Sequence, residues 1–221
     1  MSLGLLFVDE IKGFYKSRVM AVLWIGLPFI TVVLYAVQPE AEGLSFLFFV
    51  GLLISSFGGL IGCVTIATTI TTELSHHVYD LFLIRPVKRS SLLLAKFFAV
   101  LTCILVAIGL AFMTGLILDI VTIGTPNEAM LRGTLESLSL SIAAVVIACS
   151  LGTLIGITIS SIAVSTIIAI YAGGQFSAIV ALIPAFLPDQ VHPVTIALVL
   201  LITATPIILG ASVVLFNRRQ F

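Results

Sequence analysis

The chain has 221 residues, 60% of them hydrophobic and 9% charged, and its ten acidic and ten basic side chains cancel to a net charge of zero. A mean hydropathy of +1.30 excludes an ordinary soluble globule, which could not cover that much apolar surface, and leaves the bilayer as the solvent. The neutral total says little about partners, and nothing in it calls for nucleic acid.

Residues 1–18 read as an amphipathic interfacial helix, because Phe7, Ile11 and Phe14 share one helical face while Asp9, Lys12 and Lys16 mostly turn away. The opening MSLGLLFVDEIKGF carries acids where a signal peptide has a basic or apolar region, and no small-residue cleavage site precedes the first span. It is therefore expected to be retained. A helix needs about 20 apolar residues to cross a hydrocarbon core of roughly 30 Å, and six spans fit the uncharged stretches: 19–37, 44–72, 92–118, 137–159, 161–183 and 194–216. The fourth and fifth come from dividing the uncharged run Ser137 to Pro188 near Ser160 and Ser161. These are continuous apolar blocks without alternation, which disfavours a β-barrel. The expected fold is all-α, a polytopic membrane protein with six transmembrane helices in one domain over residues 1–221.

Loops rich in Lys and Arg stay in the cytoplasm. With both termini there, nine of the ten basic residues fall inside and only Arg132 outside, while Glu40, Glu42, Asp119, Glu128, Glu136 and Asp189 fall outside. A multi-pass protein of the cytoplasmic membrane is the expectation.

Small residues recur every fourth position in two spans: Gly51, Ser55, Gly59, Cys63 and Ala67, then Ala144, Ala148, Gly152, Gly156 and Ser160. Shorter seams join Ala107, Ala111 and Gly115, and Ala169, Gly173 and Ser177. Such seams let helix backbones approach closely in lipid, within one bundle or between two copies, so a homodimer is plausible. Cys63, Cys103 and Cys149 fall inside spans as packing residues, not as a disulfide or metal framework. The span midplanes lack ionisable residues, against ion-coupled transport. His76, His77 and His192 sit in loops, no catalytic set emerges, and no phosphate-binding loop of the form GxxxxGK[ST] is present.

One polar stretch interrupts the apolar sequence: ELSHHVYDLFLIRPVKRSS, residues 73–91. Leu74, Val78, Leu81 and Phe82 give a helix here one apolar face, with His76, Tyr79 and Asp80 opposite. Leu83 falls on the polar side, which suits a surface covered by a second protein. Pro86 ends the helix and pushes Arg85 toward extended backbone, and Ser90 or Ser91 can cap the next span. On these grounds the segment is either a surface helix joining two spans or a docking element.

The stretch also resembles the pattern of ABC-2 type transporter permeases. In that family an acidic residue after the second span is followed by a helical segment, a Leu-x-x-x-Pro-Val-x-Arg stretch and a Lys a few residues into the next span. The matching positions are Glu73, Leu83 or Phe82, Pro86, Val87, Arg89 and Lys96. The run from Ser150 to Ile170 resembles the family's junction between spans four and five, with Gly152, Gly156, Ser160 and Ser161 at its small positions. One departure is visible: the acids Glu73 and Asp80 are present, but not the Gly-Thr that family members often place between them.

The resemblance implies a permease subunit of an ATP-binding-cassette transporter. Two copies would assemble with two separate ATPase subunits, which would hold ATP and Mg, while this chain binds no cofactor or metal and is not itself an enzyme. Residues 73–91 would form the cytoplasmic coupling segment, with Glu73, His76, Tyr79, Asp80, Leu83, Arg85, Pro86 and Arg89 coupling to the ATPase. Spans two and five would line the pathway through Thr65, Thr68, Thr69 and Thr72 and through Tyr171, Gln175 and Ser177. These uncharged groups suit a lipid-like, glycan or amphiphilic cargo, and export is the expected direction. The alternatives are a haem-exporter-like permease of cytochrome c maturation and a non-transporting membrane scaffold or pore.

Overall fold

The computed structural model describes residues 3–37, 46–76, 89–123, 128–182 and 192–218, and every regular element among them is an α-helix. In chain order these are α1 (Leu3–Tyr15), α2 (Arg18–Val37), α3 (Phe46–Ser75), α4 (Arg89–Ile123), α5 (Glu128–Thr158), α6 (Ile162–Leu182) and α7 (Pro193–Arg218). Six of them, α2 to α7, are long and apolar enough to cross a membrane. The chain is thus a helical membrane-spanning protein.

Local chemistry marks the boundaries. Ser17 caps α2: its Oγ accepts the Val19 N–H at 3.3 Å and its carbonyl accepts the Ala21 N–H at 3.2 Å. Pro193 opens α7 at the first helical position, where a missing N–H costs nothing, and the His192 carbonyl accepts the Thr195 N–H at 3.0 Å. Residues 159–161 leave the helical state where the long uncharged run was divided. Pro28 and Pro206 lie inside α2 and α7 without ending either helix, as neighbouring spans permit in lipid.

The helices outrun the uncharged stretches. α4 has 35 residues and α5 has 31, which at about 1.5 Å per residue exceeds the roughly 30 Å of a hydrocarbon core. Glu128 sits in the first turn of α5, where a carboxylate suits the positive end of the helix dipole. Charge ends a span, therefore, without ending the helix.

The core is built on α5. In its apolar window 78% of residues are buried, against 11% for α7, so α5 is central and α7 peripheral. α3 runs parallel to α5 along the two long seams. A Cβ added at Gly152 would lie 2.6 Å from the Cys63 carbonyl oxygen, and one at Gly156 would lie 2.9 Å from that of Ala67. Only glycine permits this backbone contact. Farther along, the Ser141 hydroxyl lies 3.0 Å from the Gly51 carbonyl oxygen. α6 runs antiparallel to α3 and packs on both α3 and α5, and a Cβ at Gly173 would lie 2.6 Å from that of Cys63.

All four seams are therefore buried inside the one chain, apart from Ser160 at the end of the second, and give no support to a contact between copies. Cys63, Cys103 and Cys149 are free thiols, all buried. α2 packs chiefly against α4, burying Met20, Leu23 and Leu27. Its Trp24 donates the indole N–H to the Cys103 carbonyl at 2.9 Å.

Candidate functional site

Where α3 ends and α4 begins, a lysine is buried in what is otherwise an apolar run. Lys96 stands among Leu92, Leu93, Phe97 and Val100 and is only 1% exposed. A buried ammonium is costly unless paired and hydrogen-bonded. Two carboxylates meet that need: Lys96 Nζ donates to Glu73 Oε1, and Glu10 Oε1 of α1 lies 3.4 Å away. The carboxylate side chains keep contact with water, at 24% and 28% exposure for Glu73 and Glu10.

Helix geometry explains the meeting. Glu73 is in the last turn of α3 and Lys96 two turns into α4, so the antiparallel pair brings them level, with α4 projecting roughly 8 Å beyond the end of α3. α1 then packs across α4 and closes the site. Leu6 is buried and Phe14 half-buried. Together with Glu10 they form an i, i+4, i+8 line facing the protein. Phe7 and Ile11 are half-buried beside that line. The covered stripe is thus rotated from the one the apolar pattern predicts, and an acid lies within it. A pocket of about 430 Å³ remains between the elements, reached by Glu10, Glu73, Lys96, Asp9 and Thr69.

Burial is the largest influence on Glu10 and raises its carboxyl above the ordinary value of 4.5. Lys96 opposes that shift, while the charges on Glu73 and Asp9 add to it. Among the described residues, no three His, Cys, Asp or Glu side chains gather as a metal site.

Of the candidate coupling residues, Glu73 lies in this cluster, and α3 continues past it to Ser75, so Leu74 is a buried residue of the span's last turn. His76 is exposed in the following turn, its N–H donating to the Thr72 carbonyl at 3.0 Å. Arg89 is the first residue of α4. Tyr79, Asp80, Leu83, Arg85 and Pro86 lie outside the described residues, as does most of the expected coupling helix.

The candidate lining residues do not form one surface. Thr65, Thr68, Thr69 and Thr72 are half-buried. The Thr68 hydroxyl donates to the Val64 carbonyl at 2.7 Å, and that of Thr69 to the Thr65 carbonyl, the back-bonding that lets threonine sit in a span. Tyr171 and Gln175 point outward, Tyr171 being 72% exposed. Ser177 lies on the opposite side of α6, sealed against Gly59, its hydroxyl donating to the Gly173 carbonyl at 2.6 Å.

Sequence reasoning singled out neither Glu10 nor a polar node at Thr71. The Thr71 Oγ1 lies 2.9 Å from Ser165 Oγ, 2.8 Å from the Ala67 carbonyl oxygen and 3.2 Å from that of Gly156. One hydroxyl thereby ties α3, α5 and α6 together close to the Lys96 end. No protein-family model matches the chain, and none of the curated proteins compared with it matches.

Proposed function

We propose that the chain is the membrane subunit of an ATP-driven transporter of the ABC-2 type, exporting a lipid-like, glycan or amphiphilic cargo with ATP hydrolysed by a separate subunit. The observation that carries this reading is the ion pair between Glu73 and Lys96. In the resemblance these are two separate motif positions, one after the second span and one inside the third, and a physical contact between them gives both a common reason. Glu73 opens residues 73–91, the stretch that would meet the ATPase, and Lys96 lies just beyond its end.

In this reading α1 lies along the cytoplasmic face, and movement of the segment between α3 and α4 reaches α1 through Lys96. Two permeases with two ATPase subunits complete the machine. Purification of the tagged chain from its native membrane is expected to bring down a protein with a phosphate-binding loop. Leu83→Glu together with Pro86→Ala should release that protein while the permease stays folded. Recovery of the folded chain with no such ATPase, or unchanged association of the double variant, refutes the proposal.

A further inference from the structure

An apolar groove of about 470 Å³ runs between α2 and α3, which barely touch each other. Val19, Val22, Gly26 and Ile30 line it from α2, and Phe57 and Ile61 from α3. Gly26 opens its middle, since a Cβ there would meet nothing within 4 Å. The groove faces outward: Val22 at its lip is 71% exposed and Phe57 is 42% exposed. Arg18 stands at one end. It is exposed, and the ion pairs among the described residues involve Lys96 instead.

We infer that this groove is a binding site for one anionic glycerophospholipid, with an acyl chain between α2 and α3 and the phosphate against Arg18. The length of the groove suits a lipid chain. The lining on α2 runs from Arg18 to Ile30, or about 18 Å at 1.5 Å per residue. That is close to one leaflet of a core about 30 Å thick. Charge supports the headgroup: the groove is lined almost wholly by carbon, the exposed Arg18 stands at its end, and the exposed Lys16 precedes that end in sequence. A phosphate is the natural partner of a forked, unpaired guanidinium. The inference needs only that α2 and α3 cross a bilayer, so it stands or falls apart from the transporter assignment.

The full chain, reconstituted in vesicles of equal parts phosphatidylcholine and phosphatidylglycerol and gently extracted, can be weighed intact by native mass spectrometry. One retained phosphatidylglycerol per chain is expected, preferred about ten-fold over phosphatidylcholine. Gly26→Phe fills the groove from a position with free space and should abolish retention at unchanged oligomeric mass, with Val22→Trp as a second blocking variant. Arg18→Gln should keep a lipid but lose the preference for the anionic headgroup. A photoactivatable phosphatidylglycerol should label wild-type peptides containing Gly26 or Phe57. Retention without headgroup preference, retention undiminished in both folded blocking variants, or conversion of a dimer to a monomer by either would overturn the proposal, the last by giving the groove to a second copy.

Discussion

Removal of the Lys96 charge offers the most direct test of the cluster that joins α1, α3 and α4. Lys96→Met keeps the length of the apolar stem but leaves Glu10 and Glu73 facing each other without a cation. Breaking a buried ion pair by deleting one partner costs about 3–5 kcal/mol. Both carboxylates are about a quarter exposed, and one can take up a proton, so the lower end of that range, about 3 kcal/mol, is expected. For a chain of this size the midpoint should fall by roughly 6–12 °C. Glu10→Gln with Glu73→Gln should cost more, about 4 kcal/mol, because the stranded ammonium is almost fully buried. The triple variant has no charge left to strand and should return to within about 1 kcal/mol of the wild type. Thermal unfolding in lipid nanodiscs measures all of these. The charge-pairing account fails if Lys96→Met is neutral, or if the triple variant loses as much stability as the single and double variants added together.

Gly152→Ala should destabilise by about 1–3 kcal/mol by forcing α5 off the Cys63 backbone, whereas Gly109→Ala, where a Cβ meets nothing within 4 Å, should stabilise α4 by about 0.5–1 kcal/mol. The same unfolding assay separates the two, and equal effects would contradict the packing. Trp24→Phe removes the indole donor to Cys103 and should cost about 1 kcal/mol, or some 2–4 °C; an unchanged midpoint would mean the bond contributes nothing. Glu10 makes docking of α1 sensitive to pH. Its carboxyl is raised mainly by burial, so the docked state binds the proton more tightly than a free α1 would. The contribution of Glu10 to docking is then fully present below 4.5, the ordinary carboxyl value, and is lost as pH rises through the raised value. Trp24 is the chain's one tryptophan, and its ring centroid lies 5.4 Å from that of Tyr15 at the end of α1. Its emission should therefore report tighter docking as pH falls from neutral toward 4.5. Glu10→Gln should flatten the titration, and wild-type and variant curves that coincide would exclude Glu10 as the titrating group.

Much of the fold was legible because lipid imposes a simple code. Uncharged blocks gave the spans to within a few residues at most ends, and the repeated small residues marked the faces where backbones touch. The same pattern could not say whose backbone they touch. A period of four looks identical whether the partner is α5 of the same chain or a helix of a second copy, and only the register of Cys63 on Gly152 and Ala67 on Gly156 decides it. The α4 and α5 extensions escaped notice because a charge ends burial in hydrocarbon, while helical hydrogen bonds continue through it. Residues grouped by type also fell apart by angle. Six residues along α6 amount to about 240° of rotation, so Tyr171 and Ser177 cannot share a face.

Glu10 is the instructive omission. On α1 alone it reads as one more polar residue beside Asp9, since no local pattern encodes a cation arriving from α4. Lys96 carried the missing signal. A lysine inside LLLAKFFAV must reach water or meet an acid, and only four acids lie on its side of the charge-ordered chain: Asp9, Glu10, Glu73 and Asp80. On α1, Glu10 is in line with Leu6 and Phe14 at four-residue spacing, whereas Asp9 is turned about 100° from it. A buried charge is a demand to be met, and here it points to Glu10 and makes α1 a packed cover over the α3 and α4 junction.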